Sequence, residues 1–135
     1  MIRTAVAIAV VACAAVVSGC ASIGGTPAEQ RAGDSILLAA PERPEAFMDA
    51  LIAGTLVRTD AGCLAVQGAD ELTYVLQFPF GSRLAEDGES VEVPGLGVVR
   101  LGDAIEGGGG YVDVPSAPEE CRISEEFAVW QSVPG

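Results

Sequence analysis

The chain has 135 residues and sets 19 acidic side chains against 7 basic ones, a formal net charge of −12. All seven bases are arginine, and lysine, histidine and asparagine do not occur. A chain without histidine builds no Ser-His-Asp or Cys-His catalytic pair and no imidazole metal site, and one without lysine builds no Schiff base and no Walker-type phosphate loop. The acidic balance repels a phosphate backbone, so no nucleic-acid partner is expected.

Met1-Ile2-Arg3-Thr4 places one positive charge ahead of residues 5–17, a run of 13 built only from Ala, Val, Ile and Cys. At about 1.5 Å per residue such a run makes roughly 20 Å of helix, short of the ~30 Å hydrocarbon core of a bilayer. It reads as the apolar region of an export signal rather than as a permanent span. The run ends at Val17-Ser18-Gly19-Cys20. This segment resembles the lipobox of bacterial lipoproteins, in which an aliphatic residue and two small ones precede a cysteine. The resemblance implies cleavage before Cys20, a diacylglyceryl (palmitate-type) thioether on its sulfur, and anchoring on the extracytoplasmic face of the cell membrane, or at the outer membrane of a diderm. Two acyl chains hold stably where one is marginal. An ordinary secretory signal, cut near Ala21 or Ser22, is the alternative.

Loss of Arg3 with the signal leaves 6 bases against 19 acids, a side-chain charge of −13 on residues 20–135. Anionic lipid repels such a domain, which suits a head held off the membrane on a leash. The lack of lysine and asparagine beside abundant alanine, glycine and valine points to a GC-rich bacterium. Cys13 leaves with the signal and Cys20 takes the lipid, so Cys63 and Cys121 form an even pair in an oxidising compartment, where a disulfide is expected. Their spacing lacks the C-x-x-C pattern of a redox pair or a thiolate metal site.

Residues 20–44, with Gly24-Gly25, Pro27, Pro41 and Pro44, read for the most part as a flexible tether, whose one apolar patch, Ser35-Ile36-Leu37-Leu38, could dock on the domain. A helical turn is expected over 45–51, with Phe47 and Leu51 on one side. The domain, residues 45–133, then reads as short strands separated by turn residues. Residues 51–59 form the first strand, and Asp60-Ala61-Gly62 turns the chain into a second over 63–67. Residues 72–78 alternate Tyr74, Leu76 and Phe78 against Thr73, Val75 and Gln77. Further strands fall around Val91-Glu92-Val93, residues 98–101 and residues 104–106. The glycines 107–110 make a loop tip or a strand bend before the strand 111–114, and residues 127–133 close the set with the single tryptophan, Trp130. Five to seven short strands without a long helical period argue an all-β fold, an OB-like or SH3-like small β-barrel. Residues 98–105, strand–Gly-Asp–strand, resemble a segment of such barrels, and the hairpin around Thr55-Leu56-Val57 and Gly62-Cys63-Leu64 is similar to the opening of small barrels in exported actinobacterial proteins. That resemblance implies fold alone.

Candidate chemistry is sparse. Glu86, Asp87, Glu89 and Glu92 offer oxygen ligands for a hard cation such as Ca²⁺, without the spacing of a calcium loop. Asp103, Glu106 and Asp113 flank the glycines as carboxylates that could act as acid and base, although Gly-Asp is also an ordinary turn former. Ser82 follows Gly81 with no base to activate it. Phe80, Tyr111 and Trp130 are the candidates for an exposed aromatic ligand patch, against a core role for the same rings. No cofactor is expected. The function that fits best is a non-enzymatic, lipid-anchored binding domain facing an envelope protein, glycan or small ligand. The alternatives are a structural or stress-related envelope lipoprotein and a carboxylate-dependent glycan hydrolase.

Overall fold

Alternating apolar residues between Gly-containing turns give ten strands in the computed structural model, which describes residues 25–134. The signal segment and the lipobox with Cys20 lie outside the described residues. In chain order the strands are β1 (Ala28–Ala32), β2 (Ser35–Ala39), β3 (Ala50–Arg58), β4 (Leu64–Gln67), β5 (Thr73–Phe78), β6 (Arg83–Leu84), β7 (Ser90–Val93), β8 (Gly97–Arg100), β9 (Ala104–Val112) and β10 (Phe127–Ser132). One 3₁₀ turn, Glu119–Cys121, interrupts the β9–β10 connection.

Five strands close on themselves in the order β5-β10-β9-β3-β4 and back to β5. All neighbours run antiparallel except β5 and β10, which are parallel. Taking β3, β4, β5, β9 and β10 as the first to fifth barrel strands, the circuit is 1-2-3-5-4-1, an OB-like order; its parallel pair separates it from an all-antiparallel SH3-like meander. The hairpin β1–β2 adds to the outside of β5 through a short parallel pairing, Leu38 with Gln77 and Ala39 with Phe78. Between β5 and β9 a small sheet, β6-β7-β8, packs Val91, Val93 and Val99 into the barrel core.

Two cores share the barrel wall. Inside lie Ile52, Leu56, Leu64, Leu76, Phe78, Ile105 and Trp130. Outside, Ile36, Leu38, Cys63, Val75, Cys121, Phe127 and Val129 form a second cluster under the connection 113–126. Strand β5 therefore sends Leu76 and Phe78 inward and Val75 outward, and these three are buried on the two faces of its middle and end. The same holds for β2, all five of whose residues are buried. A strand covered on both faces reads as a continuous apolar run with no alternation. Ser35-Ile36-Leu37-Leu38 is such a run, so the tether assigned to 20–44 is corrected: from Ala28 to Ala39 this stretch is part of the folded sheet. The helical turn assigned to 45–51 is also absent. Residues 45–49 are irregular and β3 has already begun at Ala50.

The glycines 107–110 are neither loop nor tip but the middle of β9, paired with β3 on one side and β10 on the other. None of the four has a left-handed φ, so they are needed for space rather than for conformation. A Cβ on Gly107 would run into the Trp130 indole and the Ser132 carbonyl. One on Gly109 would meet the Val129 carbonyl and, at 3.1 Å, Ile52 Cγ1, and one on Gly110 would strike the Met48 side chain. The indole of Trp130, 1 % exposed, fills the room left free and donates from Nε1 to the Ser132 carbonyl at 2.9 Å. Between Trp130 and Ser132 the register to β9 slips by one residue, a bulge that leaves Gln131 unpaired in the ladder. Its amide then ties down the irregular segment before β3: Gln131 Oε1 accepts from the Met48 N–H (2.7 Å), and Nε2 donates to the Ala46 carbonyl (3.2 Å).

Overpacking a filled core costs about 1–3 kcal/mol and at times more. Gly107→Ala, which forces a methyl group onto the indole and a backbone carbonyl, should lower the stability read by urea denaturation by at least that much. Gly108→Ala, whose Cβ meets only the Ser132 hydroxyl at 2.6 Å, should cost clearly less. Equal effects from the two variants would contradict the packing role of the glycine tract.

Candidate functional site

The β3–β4 turn and the β9–β10 connection are joined covalently. Cys63, at the end of that turn, is disulfide-bonded to Cys121 across a Cα–Cα distance of 5.7 Å, and both residues are fully buried. The pairing expected from the sequence is therefore present. Around it the turn is closed by hydrogen bonds: the Thr59 N–H donates to the Cys63 carbonyl (2.9 Å), and the Cys63 N–H donates to Thr59 Oγ1 (3.0 Å). On the other side Arg122 donates to the Val114 carbonyl at 2.6 Å, pairs with Asp113 at 3.3 Å, and places its guanidinium 5.7 Å from the centre of the Phe127 ring.

Between these two tied segments runs a groove of about 480 Å³, lined by residues 57–61 together with Gln67, Thr73 and Ile123. It draws on five elements: the end of β3, the turn after it, the facing ends of β4 and β5, and the connection to β10. Its chemistry is mixed. Ile123 is 49 % exposed and offers an apolar face. Arg58 reaches Ser35 Oγ (3.1 Å) and Glu89 (3.4 Å), and Asp60 adds a carboxylate at the rim. Gln67 and Thr73, directly opposite each other in the β4–β5 ladder, add an amide and a hydroxyl.

The residues singled out from sequence fare differently. Of the two readings of Trp130 the core one holds and the ligand-patch one does not: it sits in the barrel with its ring centroid 5.9 Å from that of Phe78. Tyr111 is half-buried at the far side of β9, edge-on to Tyr74 at 4.9 Å, with its hydroxyl directed to the Leu51 carbonyl at 3.4 Å. Phe80 is exposed and lies under the Arg43 guanidinium, 5.7 Å from the ring centroid. The three form no common patch. The acidic loop does not converge either. Asp87 Oδ1 accepts from the Glu89 N–H (2.9 Å), Glu89 faces Arg58, Glu92 lies opposite Arg83 on the small sheet, and among the described residues no three His, Cys, Asp or Glu side chains gather as a metal site. Asp103 caps its own turn by accepting from the Arg100 N–H (2.9 Å), Asp113 is paired with Arg122, and Glu106 stands exposed on β9.

Sequence reading missed Arg58, Gln67, Thr73 and Ile123 because each is an ordinary strand or loop residue. The one signal that could have found them is the cysteine pair: joining 63 to 121 forces residues 57–61 and 123 to face one another. A further ion pair fastens the same connection to the outer hairpin. Arg31 on β1 bonds Glu120 and Glu29; the bond to Glu120, then that to Glu29, raises the Arg31 pKa, and the same guanidinium draws the Glu120 carboxyl below its ordinary range.

Closing a loop of 59 residues by a disulfide is worth about 4 kcal/mol in the chain-entropy account. Cys63→Ala with Cys121→Ala should lower stability by roughly that amount and broaden the amide resonances of residues 57–61 and 119–123; unchanged stability and spectra would mean that the cross-link does not hold the groove. Burial, ahead of the nearby Tyr74 and Asp70, raises the Tyr111 pKa. Its neutral form is favoured in the fold, so this contribution to stability is complete below the ordinary phenol range and is lost as pH rises through the raised value. In an absorbance titration at about 295 nm, Tyr111→Phe should remove tyrosinate absorbance that develops above the ordinary phenol range; loss of absorbance that develops within or below that range would contradict this environment.

No protein-family model matches the chain, and neither a curated protein nor a solved structure does. What the groove can hold follows from its own residues.

Proposed function

We propose that the chain is a lipid-anchored, extracytoplasmic binding domain without enzymatic activity, and that the groove between the disulfide-joined segments is its binding face. The observation that carries the reading is the placement of that groove: in barrel numbering it is lined by the end of strand 1, the 1–2 turn, the facing residues Gln67 and Thr73 of strands 2 and 3, and the 4–5 connection. By fold-level analogy this is the face on which OB barrels take oligonucleotides and oligosaccharides. A formal charge of −12 disfavours the first of these classes. An uncharged oligosaccharide of the cell envelope suits the second: an amide, two hydroxyls, a guanidinium and a carboxylate supply donors and acceptors, and Ile123 and Val57 supply apolar contact.

Anchoring and export rest on Val17-Ser18-Gly19-Cys20, and the buried Cys63–Cys121 disulfide supports an oxidising compartment. Binding is favoured over carboxylate catalysis because Asp103 and Asp113 are each held in a local structural contact away from the groove. Incorporation of labelled palmitate into the full chain, abolished by Cys20→Ala, is the expected result for the anchor; unlabelled wild-type protein would reject it. For the binding face, titration with a tetramer of β-1,4-linked N-acetylglucosamine should shift the amide resonances of Thr59, Asp60, Thr73 and Ile123. Ile123→Ser should weaken the binding by roughly tenfold, about 1.4 kcal/mol. Shifts confined to other faces, or none, would reject the assignment.

A further inference from the structure

The barrel has two unlike ends, and the chain enters at one of them. Gly25, the first described residue, lies against Pro41, where a Cβ would stand 3.2 Å from Cγ. Ala28 opposes Ala39 in the hairpin, and Ala40 donates to the Phe78 carbonyl at 2.9 Å, so the entry point sits where β2 and β5 finish. Two turns meet there. Gly81 faces the Pro94 ring (3.2 Å from a Cβ to Cγ), and Gly95 faces Val133 just beyond β10 at the same distance. Residues 79–81 and 94–97 contain no charged side chain, and they expose Phe80 (41 %) and Leu96 (44 %). Arg43 spans the Phe80 ring.

The opposite end is different in kind. The β1–β2 turn packs on the acidic loop, where Ser35 Oγ donates to the Gly88 carbonyl (2.6 Å), and the Ile36 N–H donates to the Gly62 carbonyl of the β3–β4 turn (2.8 Å). These three turns bring Asp34, Asp60, Glu86, Asp87 and Glu89, all exposed, to one end, with Arg58 among them.

We infer that the entry end docks on the phospholipid bilayer, with Phe80 and Leu96 at the boundary between headgroups and acyl chains and Arg43 at the level of the phosphates, while the acidic end and its groove face away. The inference rests on the proposed anchor at Cys20. With Ala28 to Ala39 in the folded sheet, little chain separates the two: four residues lie between Cys20 and Gly25, and five steps of about 3.3–3.6 Å reach about 18 Å at full extension. A domain on so short a leash touches the surface from which it hangs, and uncharged aromatic and aliphatic turns are what an interface accepts. Glu42 and Glu45 bracket Arg43 on the same segment, so apolar contact and the leash, rather than net charge, hold this end down. Repulsion of the five carboxylates by anionic lipid turns the other end outward.

The test uses the full acylated chain in vesicles of phosphatidylethanolamine and phosphatidylglycerol that carry a nitroxide quencher at the headgroup. A fluorophore on Val98→Cys, next to the apolar turns, should be quenched several-fold more than one on Asp87→Cys. Adding Phe80→Ser and Leu96→Ser to the Val98→Cys protein should bring its quenching down toward the Asp87 level. Equal quenching at the two positions, or no response to the serine pair, overturns the docking. Mass spectrometry of the N-terminal peptide separates the two claims: an acylated Cys20 with equal quenching rejects the orientation alone, whereas an unmodified Cys20 rejects the anchor on which it rests.

Discussion

The fold depends on one close approach, that of β9 to β10 around the Trp130 indole. A barrel of five strands has a narrow interior, and a tryptophan fills much of it. It fits here because the facing strand carries no side chain at Gly107, where a Cβ would run into the ring, and the indole N–H finds the Ser132 carbonyl instead of being stranded in an apolar core. The bulge at Gln131 follows from the same crowding and serves a second purpose, since the displaced amide fixes the irregular segment that leads into β3.

Around that closure the remaining parts are accessories with distinct tasks. The small sheet β6-β7-β8 adds Val91, Val93 and Val99 to the inner core, and the outer hairpin adds Ile36 and Leu38 to the outer one. The disulfide lies in the outer cluster, so the cross-link and the apolar cover under residues 113–126 reinforce each other. For a domain of this size such a staple compensates for a limited core. It also lays two loops side by side, and the groove exists because of that.

Much of the architecture was legible in the chain. The all-β class, the strands at β3, β4, β5 and β10, the alternation of Tyr74, Leu76 and Phe78 against Thr73, Val75 and Gln77, and the cysteine pair all follow from period, turn residues and parity. What escaped has physical reasons. The run Ser35-Ile36-Leu37-Leu38 shows no alternation because both of its faces are covered, so among prolines and glycines it looks like a sticky patch on a tether. The glycines 107–110 look like a loop because their role is to leave room for Trp130, Met48 and the β10 backbone, partners distant in sequence that local pattern does not reveal. Trp130 itself carries no label separating a core ring from a binding ring. The groove was invisible for a related reason: Arg58, Gln67, Thr73 and Ile123 meet only once the barrel has closed.

Closure through the glycine strand is the claim on which the core, the groove and the two unlike ends all depend, and native-state amide hydrogen exchange addresses it directly. With β9 held in ladders on both sides, the amides of Gly107 to Gly110 should exchange as slowly as those of β3 and β5, by global unfolding alone. Exchange of these four amides at the rate of an open loop, with β3 and β5 still protected, would contradict a barrel closed through this strand.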